Sequence, residues 1–194
     1  RPVPGRPAKA ARRMGLAGDP PAAARAAAKA GCPVVAGSVL AIPLADGCCA
    51  AVLSADVLGH ARVDPEPALR EMARVLEPGG WLILNLPAYG WLLSEHDRRV
   101  HNVRRFTAGV ARRSVEAAGL RVVRITYWNS FLLPLMILRR VFGGRDGGKS
   151  DVMEYPRLVD ALFGAILWLE RAIIATGLRL PAGGSVLVVA RKDV

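Results

Sequence analysis

The stretch from residue 64 to residue 86 constrains the fold of this chain more than any other. Asp64 and Pro65 open a helix, and Leu69, Met72, Ala73 and Leu76 follow at helical spacing. Glu77-Pro78-Gly79-Gly80 then breaks that helix, because proline cannot donate a backbone hydrogen bond and glycine favours turns. Residues 81–86 form a buried-type run of strand length. A helix delivered by a sharp break into such a strand is half of a parallel βαβ unit.

The rest of the chain repeats that alternation. Residues 14–18 are a weak strand, Pro20-Pro21 opens an alanine-rich helix through Ala30, and Gly31 stops it. Residues 33–36 and 49–54 read as strands, with an Asp46-Gly47 turn between them. Thr107 caps a helix running to Ala118, and strands follow at 120–127 and 185–190. The expected architecture is α/β, a doubly wound and mostly parallel sheet in one partial domain spanning 1–194. Residues 129–183 interrupt it as a helical, apolar insertion before the last strand, with an apolar run at 131–138, a glycine-rich loop at 143–148 and a helix at about 158–177.

Charge narrows the partners. Twenty-seven Lys and Arg against sixteen Asp and Glu give a formal charge of +11, which favours an anionic partner. The basic residues come as dispersed pairs such as Arg12-Arg13 and Arg104-Arg105, without aromatic interleaving, and this argues against nucleic acid. Three cysteines, two of them adjacent at 48 and 49, make neither a disulfide framework nor a metal-ligand spacing. A reducing cytoplasm is the simplest setting, with peripheral membrane contact through the apolar insertion as an expectation.

Several of these segments together resemble a family. Val35-Ala36-Gly37-Ser38-Val39, the loop Ile42-Pro43-Leu44-Ala45-Asp46-Gly47, the stretch VLSADVLGH at 52–60 and above all LREMARVLEPGG at 69–80 are similar to the middle of class I S-adenosylmethionine-dependent methyltransferases of the small-molecule type. The resemblance runs from about Gly15 to Tyr127 and weakly through 185–190. It implies a Rossmann-like fold lacking its first strand, and S-adenosylmethionine as cofactor. Asp19 would hold the ribose, although an aspartate before a helix also serves as its N-cap. Val39 would form an apolar shelf, and Ser54, Ala55 and Asp56 would lie beside the methionine end. Ser38 stands where the family carries an acid, so its contact to adenine would be a weaker, neutral one. His60 matches a family histidine, while Gly59 replaces a common glutamate. The glycine-rich turn expected some twenty residues before Asp19 is not found in residues 1–12, which reads as an N-terminal truncation.

Beyond the strand at 81–86, PAYGWLLSEHD at 87–97 and then His101, Arg104, Arg105 and Phe106 resemble a bacterial subgroup of that family. By this resemblance Tyr89, Trp91, Arg104 and Arg105 would bind an acceptor that is small or lipid-like and anionic, and His60, His96 or His101 would serve as general base. The competing reading ties the same loop down with His96-Asp97 and Arg104-Arg105 and packs Tyr89 and Trp91 as a lid. At the level of function the alternatives are methyl transfer and a non-catalytic remnant or partner subunit that binds no cofactor.

Overall fold

The computed structural model of the protein describes residues 14–18, 20–142 and 157–194. Asp19, the first twelve residues and the glycine-rich loop at 143–148 lie outside the described residues. A short parallel pair, β1 (Gly15–Ala17) and β2 (Val34–Ala36), is joined by α1 (Pro20–Ala30). The main sheet has the order β3 (Cys49–Ala55), β4 (Leu76–Pro87), β6 (Ser185–Lys192), β5 (Leu120–Trp128). β3 and β4 are parallel, and β6 runs antiparallel to both β4 and β5. Strands β3, β4 and β5 therefore end at one rim, where β6 begins.

The sequence signals explain the helices. α2 (Pro65–Val75) starts where the Asp64 carboxylate accepts from the Glu66 N–H, and α4 (Ala108–Ala117) where the Thr107 hydroxyl accepts from the Val110 N–H. Both pack on one face of the main sheet. Leu69 and Met72 of α2 and Ala111 and Val115 of α4 join Leu82, Leu84 and Leu86 of β4 and Val186, Val188 and Ala190 of β6 in a single core.

The EPGG break differs from its expected form. β4 begins at Leu76, not at Trp81, because residues 77–80 form a bulge inside the strand instead of a loop before it. Cys49 pairs with Leu76 and Ala51 with Trp81, so the extra residues of β4 face Ala50 alone. Gly79 takes a positive φ of 78°, and a Cβ on Gly80 would sit 2.8 Å from the Glu77 carbonyl oxygen. The motif thus needs its glycines for backbone crowding.

The insertion before the last strand is helical. After α3 (Glu95–Arg99) and α4, the helices α5 (Leu133–Phe142) and α6 (Arg157–Ala175) both fall between β5 and β6. The buried Glu170 carboxylate of α6 accepts from the Ser130 and Phe131 N–H groups and so anchors the entry to α5. No helix among the described residues is long and apolar enough to cross a membrane.

Candidate active site

The shared rim of β3, β4 and β5 brings Asp56, Asn85 and Trp128 together. Asp56, directly after β3, adopts a left-handed conformation with φ 58°, and its N–H donates to the Asn85 carbonyl. The Asn85 amide donates to both Asp56 carboxylate oxygens at 3.1 and 3.3 Å, and the Asn85 side-chain oxygen accepts from Trp128 Nε1 at 3.1 Å. A hydrogen-bonded chain thus runs from the tip of β3 across β4 to the end of β5. Burial raises the Asp56 carboxyl above its ordinary range, against the opposing pull of Asn85 and Arg105. Beside it Ser54 is buried, and its hydroxyl has no hydrogen-bond partner. Ala55 itself is exposed and pairs in register with Asn85.

Toward β2, Gly37 continues the strand by donating to the Ala17 carbonyl, and a Cβ on it would lie 2.8 Å from Pro43 Cδ. Ser38 is exposed, and its hydroxyl accepts from Leu40 N at 3.1 Å. Val39 is half-buried against the main core. The loop that follows is pinned to α2: Glu71 accepts from the Ile42 N–H, while Arg74 donates to the Ile42 and Leu44 carbonyls and to Asp46. Arg74 holds Glu71 below the ordinary carboxyl range. The charged residues of the LREMARVL segment therefore shape the loop carrying Ser38 and Val39. Asp19 lies outside the described residues.

The loop after β4 mixes the two roles anticipated for it. Tyr89, at φ 56°, stacks between Tyr127 at 5.2 Å and Trp91 at 5.6 Å, and Trp91 is exposed. Burial, with the neighbouring Tyr127 hydroxyl, pushes the Tyr89 phenol up to about 12. The His60 and His101 rings stand 5.8 Å apart. His96 lies in α3. Both arginines are engaged within the protein. Arg104 donates to the His60 and Val63 carbonyls, and Arg105 donates to the Ala88 carbonyl and to Asp97 at 2.7 Å. Asp97 and Ser94 bond reciprocally through their side chains and N–H groups. Burial alone would raise Asp97, but Arg105 and Ser94 outweigh it and hold the carboxyl below its ordinary value. Gly59 lies beneath this loop: a Cβ there would be 3.0 Å from the Arg104 carbonyl, so the position has no room for the glutamate common in the resembling family.

Residues 5–84 match the methyltransferase domain family. The segment includes β1 to β3, α2 and the bulged strand that together build one side of the rim. Over these residues the chain is similar to methyltransferase domains. The solved structures similar to this chain share its fold. A chain of the Haloferax volcanii complex between the Trm112 methyltransferase activator and a methyltransferase is 21% identical with a TM-score of 0.59, the alignment covering 94% of this chain and 73% of that one. Geranyl diphosphate methyltransferase in complex with S-adenosylmethionine is 16% identical with a TM-score of 0.59, covering 94% and 69%. The [4+2]-cyclase SpnF is 19% identical with a TM-score of 0.57, covering 94% and 67%. No curated protein matches the chain.

Two rim residues of this chain escaped the sequence reading, Asn85 and Trp128. Asn85 is the single polar residue in the run Trp81-Leu82-Ile83-Leu84-Asn85-Leu86. A buried-type strand with one amide near its carboxyl end is a signal that could have pointed to it.

Proposed function

We propose that the rim formed by β3, β4 and β5 transfers a methyl group from S-adenosylmethionine to a small or lipid-like, anionic acceptor. The observation that carries this is the turn at Asp56. Asp56 lies in the family-matched segment and is held in a left-handed bend by Asn85, just beyond that segment, and Ala55 beside it is exposed. Small apolar surface beside a carboxylate at the carboxyl ends of the strands suits a nucleoside cofactor. Asp19, Ser38, Val39 and Ala55 would hold the adenosyl half: Asp19 as ribose acceptor, Ser38 toward adenine, Val39 as the apolar shelf. The bound cofactor supplies an electrophilic methyl group on a sulfonium centre.

This chain's own residues then have to align the acceptor and take its proton. Tyr89 and Trp91 offer an aromatic platform on the same rim, and His60, His96 or His101 takes the proton of a hydroxyl or amine nucleophile. Arg104 and Arg105 contribute by fixing the loop that carries His101, since their guanidinium groups already bond within the protein. One of the similar folds belongs to a protein named as a cyclase, so the fold by itself does not fix the reaction.

Calorimetric titration with S-adenosylhomocysteine decides between the enzyme and a non-binding remnant or partner subunit. Binding near about 10 μM is expected, weakened about tenfold or more by Val39→Asp, which sets a charge on the shelf. No heat at millimolar ligand would establish the remnant instead.

A further inference from the structure

A cavity of about 630 Å³ lies between α6 and the face of the main sheet opposite the core. Asn85, Arg124, Trp128, Leu187, Trp168 and Arg171 are among its lining residues. None of them belongs to the site anticipated from the sequence. The cavity lies beside the rim, because Asn85, which lines it, also holds Asp56.

Its chemistry is divided. Leu187, Ile174 and the two indole rings make an apolar wall. Among the described residues, the charged groups that line it are two guanidinium groups and none is a carboxylate. Arg124 Nη2 donates to the carbonyls of Ile174 and Leu178, which steadies the end of α6, while its Nε is buried and has no hydrogen-bond partner. Arg171 is exposed and has no carboxylate partner among the described residues. A buried guanidinium N–H without an acceptor is costly, and an anionic oxygen is the group that relieves it.

We propose that this cavity binds a single-chain anionic amphiphile, with its phosphate or carboxylate head at Arg124 and Arg171 and its hydrocarbon against Trp168, Ile174 and Leu187. Because Asn85 both lines it and bonds Asp56, the cavity holds the anionic end of the acceptor in addition to the aromatic platform of Tyr89 and Trp91. That assignment rests on the function proposed above, whereas the binding itself does not. The apolar wall supplies affinity through area removed from water, and the arginines select charge and orient the head.

The test is calorimetry of the full chain with dodecyl phosphate below its micellar concentration, alongside inorganic phosphate and dodecyl maltoside. Dodecyl phosphate is expected to saturate a site at micromolar concentration, with the other two at least about tenfold weaker. Arg171→Glu and Trp168→Ala should each weaken it about tenfold, and Arg171→Lys should retain most of the affinity. Both positions are exposed, so an unchanged unfolding midpoint will show that the variants fold. Absence of dodecyl phosphate binding, equal binding of the maltoside or of inorganic phosphate, or unaltered affinity in both variants overturns the proposal. S-adenosylhomocysteine titrated in a separate cell reports on the rim alone: amphiphile binding without it leaves the cavity standing and removes the methyl-transfer reading.

Discussion

On one face of the main sheet, Leu82, Leu84, Val186, Val188 and Ala190 are completely buried. On the other, Trp81 of the same strand as Leu82 and Leu84 is 39% exposed, and Leu53 of the neighbouring β3 is 73% exposed. The arginines divide in the same way. Arg105, beside the core residues Ala88 and Phe106, is neutralised by buried Asp97. Arg124 and Arg171, on the other side, line a cavity that no carboxylate of the described residues lines. One face therefore closes its charge and its apolar surface internally, and the opposite face leaves both open to a ligand. Net charge alone places no such asymmetry, because the +11 of the chain is spread in pairs along its length.

The largest effect should come from breaking the closed side at its ion pair. Arg105→Met leaves the Asp97 carboxylate buried without its partner, a loss of about 3–5 kcal/mol by chemical denaturation. The Asp97 carboxyl is held below its ordinary value in the folded state, so its stabilisation is complete above the unfolded value near about 4 and is lost as pH falls through the lower folded value. Wild type should lose stability on acidification in that window, and the variant should lose less. A variant with the acid dependence of wild type would show that Asp97 is not the group responsible.

A second substitution probes the same face through its packing. Leu84→Ala deletes a side chain with no exposure in the centre of the core and should cost about 2–5 kcal/mol, read from the denaturant midpoint at constant slope. A cost below about 1 kcal/mol would mean that α2 and α4 do not close over β4 as described.

How much of this was legible in the sequence depends on the range of the interactions involved. Asp64 and Thr107 announce their helices because a cap is a contact within three residues, and the helix starts follow. The core alternation of β6 is likewise local, and its buried positions fall on every second residue. In β4 apolar residues fill both faces, so nothing in Trp81-Leu82-Ile83-Leu84 tells which one α2 covers. The PGG bulge was read as a helix stop, since the pairing of Cys49 with Leu76 across it is a tertiary event. In the candidate site, the motif located Ser38, Val39 and Ala55 on their loop and strand tip. The engagement of Arg104 with the His60 and Val63 carbonyls depends on residues more than forty positions away. The Asp56–Asn85–Trp128 chain joins three strands in the same non-local way.

The smallest expected effect is the sharpest test of the open face. Leu53 sits on β3, pairs with Ile83 and points away from the core that its neighbours Val52 and Ser54 face. Because its side chain already meets water, Leu53→Glu removes almost no buried apolar area and should change stability by less than about 0.5 kcal/mol. A charge there should also reduce any self-association that the apolar surface promotes, measured as sedimentation at rising protein concentration. Destabilisation by more than about 1 kcal/mol would mean that Leu53 is covered in solution, and the contrast between the two faces would then fail at its most exposed point.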